Sequence, residues 1–188
     1  MQAADVNKPG LRRTIQAEHG FSLIELLIVV AIIMIIAAIA LPNFIRARMA
    51  ANEAAAASNV RTLTTAAVVY SSQYNNGLPP SLSAMGAVSL GSTVGSCDFA
   101  DLIDPAVASG QKSGYQYIYT GVGAAMPAPA PGCSAPGYTE YLVTATPLIP
   151  NFSGVRSFCS DEPGVLHFDP SGNAPGSPTA CATLPTLQ

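Results

Sequence analysis

Between Phe21 and Leu41 lie twenty-one residues, and only Ser22 and Glu25 among them are polar. At about 1.5 Å of rise per residue, a helix over this run reaches about 30 Å, the hydrocarbon thickness of a bilayer. A segment this apolar needs an apolar surround: lipid, a protein core, or other copies of itself. Glu25 adds a second constraint. A carboxylate at mid-membrane costs roughly 2.5–3.5 kcal/mol on insertion scales, so a plain anchor has every reason to omit it. A partner or a task for Glu25 is expected.

The flanks orient the segment. Residues 1–20 hold Lys8, Arg12 and Arg13 against Asp5 and Glu18, a slightly positive leader that keeps its end cytoplasmic and sends the C-terminal part across the membrane. A secretory signal also begins this way, and Ala38-Ile39-Ala40 mimics its cleavage site. Its apolar core normally runs only about 7–15 residues, however. A single-span anchor explains length and orientation but not Gly20, Phe21 and Glu25 arriving together.

The run Gly20-Phe21-Ser22-Leu23-Ile24-Glu25-Leu26-Leu27-Ile28-Val29-Val30 resembles the class III signal of type IV pilins and the related type II secretion pseudopilins. The resemblance is close over roughly the first fifty-five residues. It implies that a membrane aspartyl protease, the prepilin peptidase and methyltransferase, cuts after Gly20 and N-methylates Phe21, so the apolar segment is retained. It also implies that Glu25 sets assembly register by attracting the terminal amine of a neighbouring subunit. Low dielectric strengthens such a pair, and pairing offsets the cost of burying either charge. An intrasubunit pair with the Phe21 amine is also geometrically open. Pro42 matches the family's helix proline. With no N–H, and a ring that clashes with the preceding turn, it is expected to kink or locally melt the helix near 38–41.

Beyond Pro42, Arg46 and Arg48 read as solvated or headgroup-facing, with pairing to Glu53 of another subunit as the alternative. Residues 50–74 are Ala-rich, without Pro or Gly, which favours a continuing helix. Ala56, Val60, Leu63, Ala67, Tyr70 and Tyr74 form a stripe at helical spacing that needs a partner surface. Asn75-Asn76-Gly77 supplies a left-handed stop. Strands are expected at 114–120, with Tyr115, Tyr117 and Tyr119 on one face, and at 138–145, 155–160 and 165–169. The last two form a hairpin, with Pro163-Gly164 at the centre of a type II turn. Residues 78–112 read as an ordered loop region with one short helix, and 126–131 as an exposed proline-rich loop. The fold class is therefore α+β: a long N-terminal helix packed on a four-stranded antiparallel sheet. The expected organisation is leader 1–20, hydrophobic helix 21–41, amphipathic continuation 42–75 and head 76–188.

Four cysteines beyond the apolar run point to an oxidising compartment and allow three pairings. Cys97–Cys133 and Cys159–Cys181 are favoured; the first staples the loop after the helix to the proline-rich loop. The second would resemble the disulfide-bounded C-terminal loop of many pilins. No enzyme is expected. His167 has no nucleophile motif beside it and reads as a strand histidine on a polar face. Asp161, Glu162 and Asp169 are oxygen donors of the kind calcium takes, as in some pseudopilins, but turn hydrogen bonding accounts for the same residues; no cofactor is expected. With a net charge of −3 and no basic stripe, direct nucleic-acid binding has no electrostatic support. The resemblance implies a structural subunit of a type IV pilus. Its partners would be further copies of itself, minor pilins, the inner-membrane assembly platform and a cytoplasmic ATPase. The precursor would sit in the inner membrane with its head periplasmic, then pass to the cell surface. The alternatives are a pseudopilin of a short periplasmic filament, a bitopic protein with an independent head, or a secreted domain cut after Ala40.

Overall fold

Ser22 and Glu25 stand at the N-cap and third positions of helix α1 (Leu23–Tyr74). The Ser22 N–H donates to Glu25 Oε2 at 3.0 Å, and the Ser22 carbonyl accepts from Glu25 and Leu26 N–H. This is the glutamate half of a capping box, satisfying a donor the helix would leave orphaned. The computed structural model describes residues 21–87, 95–162 and 164–187, and its contacts divide the chain into two units at Leu41/Pro42. α1 is assigned as helix without interruption across Pro42. It stops at Asn75, whose φ of +50° leaves the helical region while its N–H still reaches Ser71 O at 3.1 Å; Gly77 follows at φ +74°.

The second unit is a helix-on-sheet layer. Short helix α2 (Pro105–Ala108), capped by the Asp104 carboxylate on Ala106 N–H, precedes strands β1 (Gln111–Lys112), β2 (Tyr115–Ala125), β3 (Tyr138–Pro147), β4 (Ser157–Asp161) and β5 (Leu166–Asp169). Helix α3 (Pro178–Ala182) closes the chain. The sheet is an antiparallel meander in the order β1-β2-β3-β4-β5, one strand more than the four expected. The extra strand is the two-residue β1, which pairs Gln111 with Gln116 across a tight turn and is too short to show a period-2 pattern. β2 also runs five residues past Thr120. Gly121 reads as a breaker, but the Tyr138 ring lies where its Cβ would be, so the strand needs glycine there.

The core is complementary in size. Ala56, Val60, Leu63 and Ala67 on α1 face Tyr115, Tyr117, Tyr119, Tyr141, Val143 and Phe158 on the sheet, all buried. Small helix residues let the backbone approach, and the tyrosines fill the layer, each burying about 150–250 Å². Tyr119 and Tyr141 stack at 5.6 Å, as cross-strand neighbours on one face do. β4 starts at Ser157 rather than Val155, because the Val155 and Arg156 N–H groups are taken by the Glu53 carboxylate instead of a strand.

The far edge and the β3–β4 part of the other face are covered by the C-terminal tail, while Ile118 on β2 stays exposed. Leu187 N–H and Phe168 N–H exchange hydrogen bonds with Leu166 and Pro185 carbonyls along β5, which covers an otherwise open edge. His167 is consequently buried, with Nδ1 2.7 Å from Leu184 O, and not on a polar face as expected. In the β4–β5 connection, Gly164 has φ +74° and donates to Asp161 O at 2.8 Å. Gly164 is therefore the residue that closes the turn and not one of its central pair; Pro163 lies outside the described residues.

Candidate functional site

No residue between Phe21 and Leu41 is buried within the chain. Fifteen of them are large apolar side chains, all exposed. At roughly 1.5–3 kcal/mol to bury each, leaving them in water would cost more than the roughly 5–15 kcal/mol by which a domain is stable. The segment therefore demands an apolar partner. Phe21 itself is 80% exposed and precedes the first helical residue, so its backbone nitrogen is outside the α1 hydrogen-bond ladder. Gly20 and the leader lie outside the described residues.

Residues 15–41 match the family model described as the prokaryotic N-terminal methylation motif. Beyond that segment, the chain is 33% identical over 175 residues to the type IV major pilin protein PilA of Myxococcus xanthus (strain DK1622), an alignment covering 90% of this chain. The chain thus carries a prepilin methylation motif and is similar, over most of its own length, to a type IV pilin. It spans 66% of that relative's length. No solved structure matches significantly.

The folded chain adds what the motif leaves out. Glu25 has a local use, capping α1 through Ser22 N–H, besides any use between subunits. The Ser-x-x-Glu spacing of a capping box is the signal that could have found it. Glu53, read from sequence as an optional partner for another subunit, is spoken for within the chain. Its Oε2 lies 2.7 Å from an Arg156 guanidinium nitrogen, and its Oε1 accepts from Val155 N–H at 2.8 Å. Burial alone would raise its pKa, but the bonds from Val155 and Arg156 outweigh that and hold the carboxyl below the usual range.

The cysteines pair as Cys97–Cys133 and Cys159–Cys181. Around the first bridge Asn76, 1% exposed, acts as a junction: its Oδ1 accepts from Ala130 N–H, and its Nδ2 donates to Ala135 O. Tyr70 OH donates to Cys97 O at 2.9 Å. One asparagine thus ties the helix end to the proline-rich loop, a role its place in an Asn-Asn-Gly stop does not betray. The second bridge pins α3 onto β4, with Leu142 and Leu184 packed around it.

The oxygen donors considered for calcium are not brought together. Asp169 Oδ1 accepts from Ser171 N–H at 2.8 Å and from its hydroxyl, which hold the carboxyl below its ordinary range. Asp161 is buried at the end of β4, with Oδ1 unpartnered among the described residues, and Glu162 follows it in the turn. Among the described residues no group of three or more His, Cys, Asp or Glu side chains is placed to share a metal ion. No step is derived through calcium.

Proposed function

We propose that this chain is a prepilin whose processed form polymerises through its apolar helix into a type IV pilus. The observation that carries the reading is the division of labour along α1: an apolar run with no buried residue, then a stripe from Ala56 to Tyr70 fully spent on the head. The head needs nothing more for its own core, whereas the run needs either lipid or its own kind. Both surrounds serve in turn, lipid before assembly and neighbouring helices afterwards. The prepilin peptidase would cut after Gly20 and methylate Phe21, and Glu25 would meet the new amine of a neighbour. Assembly would expose the 38–42 stretch to tension, where Pro42 already removes one backbone donor. An inner-membrane platform and a cytoplasmic ATPase would supply the work, and no catalytic role is assigned to the chain itself.

The relative named a major pilin and the disulfide-closed tail support a pilus over a pseudopilus. The deciding experiment is intact mass with N-terminal sequencing of material sheared from cells. A chain starting at N-methyl-Phe21 and abundant in that fraction is expected. The same start confined to membranes would indicate a pseudopilin or minor subunit, and a start at Met1 or Leu41 would overturn the reading.

A further inference from the structure

The loop joining β3 to β4 is built inside out. Its small polar residue is buried and its apolar residues face solvent: Ser153 is 7% exposed, whereas Leu148, Ile149, Phe152 and Val155 are 43, 56, 50 and 41% exposed. This is not a slack loop. Ser153 Oγ donates to Ile149 O and accepts from Ile149 N–H, both at 3.0 Å, and Asn151 N–H donates to Gly154 O. Ser153 O accepts from Asn52 Nδ2 at 2.8 Å, which straps the loop to α1. Gly154 sits against the Tyr115 ring, where a Cβ would collide. Ser153 and the backbone are thus used up in fixing a turn whose outward side, the exposed Asn151 apart, is hydrocarbon.

That apolar face has a cation beside it. The Arg48 guanidinium lies 5.9 Å from the centre of the Phe152 ring, and Arg46 and Arg48 are both exposed. Neither has a carboxylate partner among the described residues. Glu53, near the same end of the head, is neutralised by Arg156. The adjoining turn, whose Gly172 abuts Val155, keeps its Asp169 carboxylate on Ser171. This end of a net-negative chain is therefore locally positive. In sequence, Arg48 is only seven residues beyond Leu41, the end of the apolar run.

We propose that the Leu148–Val155 loop, with Arg46 and Arg48, is a membrane-surface foot that seats the head on anionic phospholipid before assembly. Exposed apolar side chains with an arginine beside them are the chemistry that binds such an interface. Phosphate meets the guanidinium groups while Leu148, Ile149 and Phe152 reach the acyl boundary. The foot would hold the head in one orientation and be released when the subunit is drawn into a filament. The inference rests on the apolar run being membrane-inserted, as proposed above.

The chain contains no tryptophan, so single-tryptophan variants of the full chain report depth without background. Phe152→Trp, Leu148→Trp, Ile33→Trp and Ala128→Trp would each be reconstituted into phosphatidylcholine vesicles with or without phosphatidylglycerol, using brominated acyl chains as quencher. Ala128 is the control: its loop is tied to Asn76, past the end of α1, about 30 Å along the helix from the Asn52 strap. Quenching is expected at Ile33→Trp in both lipids and at Phe152→Trp and Leu148→Trp chiefly with phosphatidylglycerol, with none at Ala128→Trp. Adding Arg46→Gln and Arg48→Gln should shift the seated-to-free ratio by about fivefold per arginine. Quenching at Ile33→Trp alone overturns the foot and leaves the membrane reading standing. No quenching at Ile33→Trp overturns both. A Phe152→Trp emission that shifts with protein concentration in lipid-free micelles, and ignores brominated lipid, would assign the loop to a second copy and overturn the foot.

Discussion

Glu25 has one use within the helix and one proposed between subunits, and substitution can separate them. As the third residue of α1 it accepts the Ser22 N–H, which glutamine can also do. As an assembly mark it needs its charge, which glutamine lacks. Glu25→Gln is therefore expected to preserve the helix start and processing yet lose filaments, and Glu25→Ala to lose filaments as well. Immunoblots of sheared and cell-associated fractions would check this; normal yield from Glu25→Gln removes the electrostatic role. Glu53 makes the opposite prediction, in the head. Glu53→Ala strands Val155 N–H and the Arg156 side chain, and is expected to destabilise the head by about 2–3 kcal/mol, read as a lower melting temperature. Its folded pKa is depressed, so the contribution is present above the unfolded value and is lost as pH falls through the folded one. Acid titration of wild type should show that loss below the ordinary glutamate range, and the variant should lack it.

At the scale of elements, two bridges fasten parts that helix and sheet packing alone would leave loose. Cys97–Cys133 encloses a separation of 36 residues and Cys159–Cys181 one of 22. Chain-entropy reasoning gives each about 3–4 kcal/mol. Serine pairs at either bridge are expected to lower denaturant midpoints by a corresponding amount. The Cys159/Cys181 pair should also deprotect β5 amides in hydrogen exchange, because the tail that caps the β5 edge is held through α3. Unchanged β5 protection would show that the tail stays seated by its backbone bonds to Leu166 and Phe168 alone.

At the scale of the whole molecule, the described apolar run 21–41 buries none of its residues, whereas the head packs a core of its own. In the proposed reading, processing decides which environment the segment meets. Gly20→Asp places a charged side chain where the peptidase is proposed to accept an extended glycine backbone. The full-length precursor should accumulate in the membrane fraction with no sheared product, measurable by intact mass. Efficient cleavage in that variant would contradict the assignment of the cut.

Much of this was legible in sequence because it rests on local rules. The apolar run, the helical stripe from Ala56 to Tyr70, the Asn75–Gly77 stop and the alternation of Tyr115, Tyr117 and Tyr119 each carry their own period or backbone preference. The family signature at Gly20–Val30 is local too. What needed tertiary structure were contacts between residues about a hundred apart, which leave no period: Glu53 with Arg156, and Asn52 with Ser153. The same holds for the tail folded over His167, and for Asn76 linking two loops. Sequence alone determined that the run 21–41 needs an apolar surround, and the exposure of that run shows that the fold does not supply it. Only the packed head decided which polar groups are spent internally and which apolar ones, such as Phe152, are left facing out, because burial is settled by every neighbour at once.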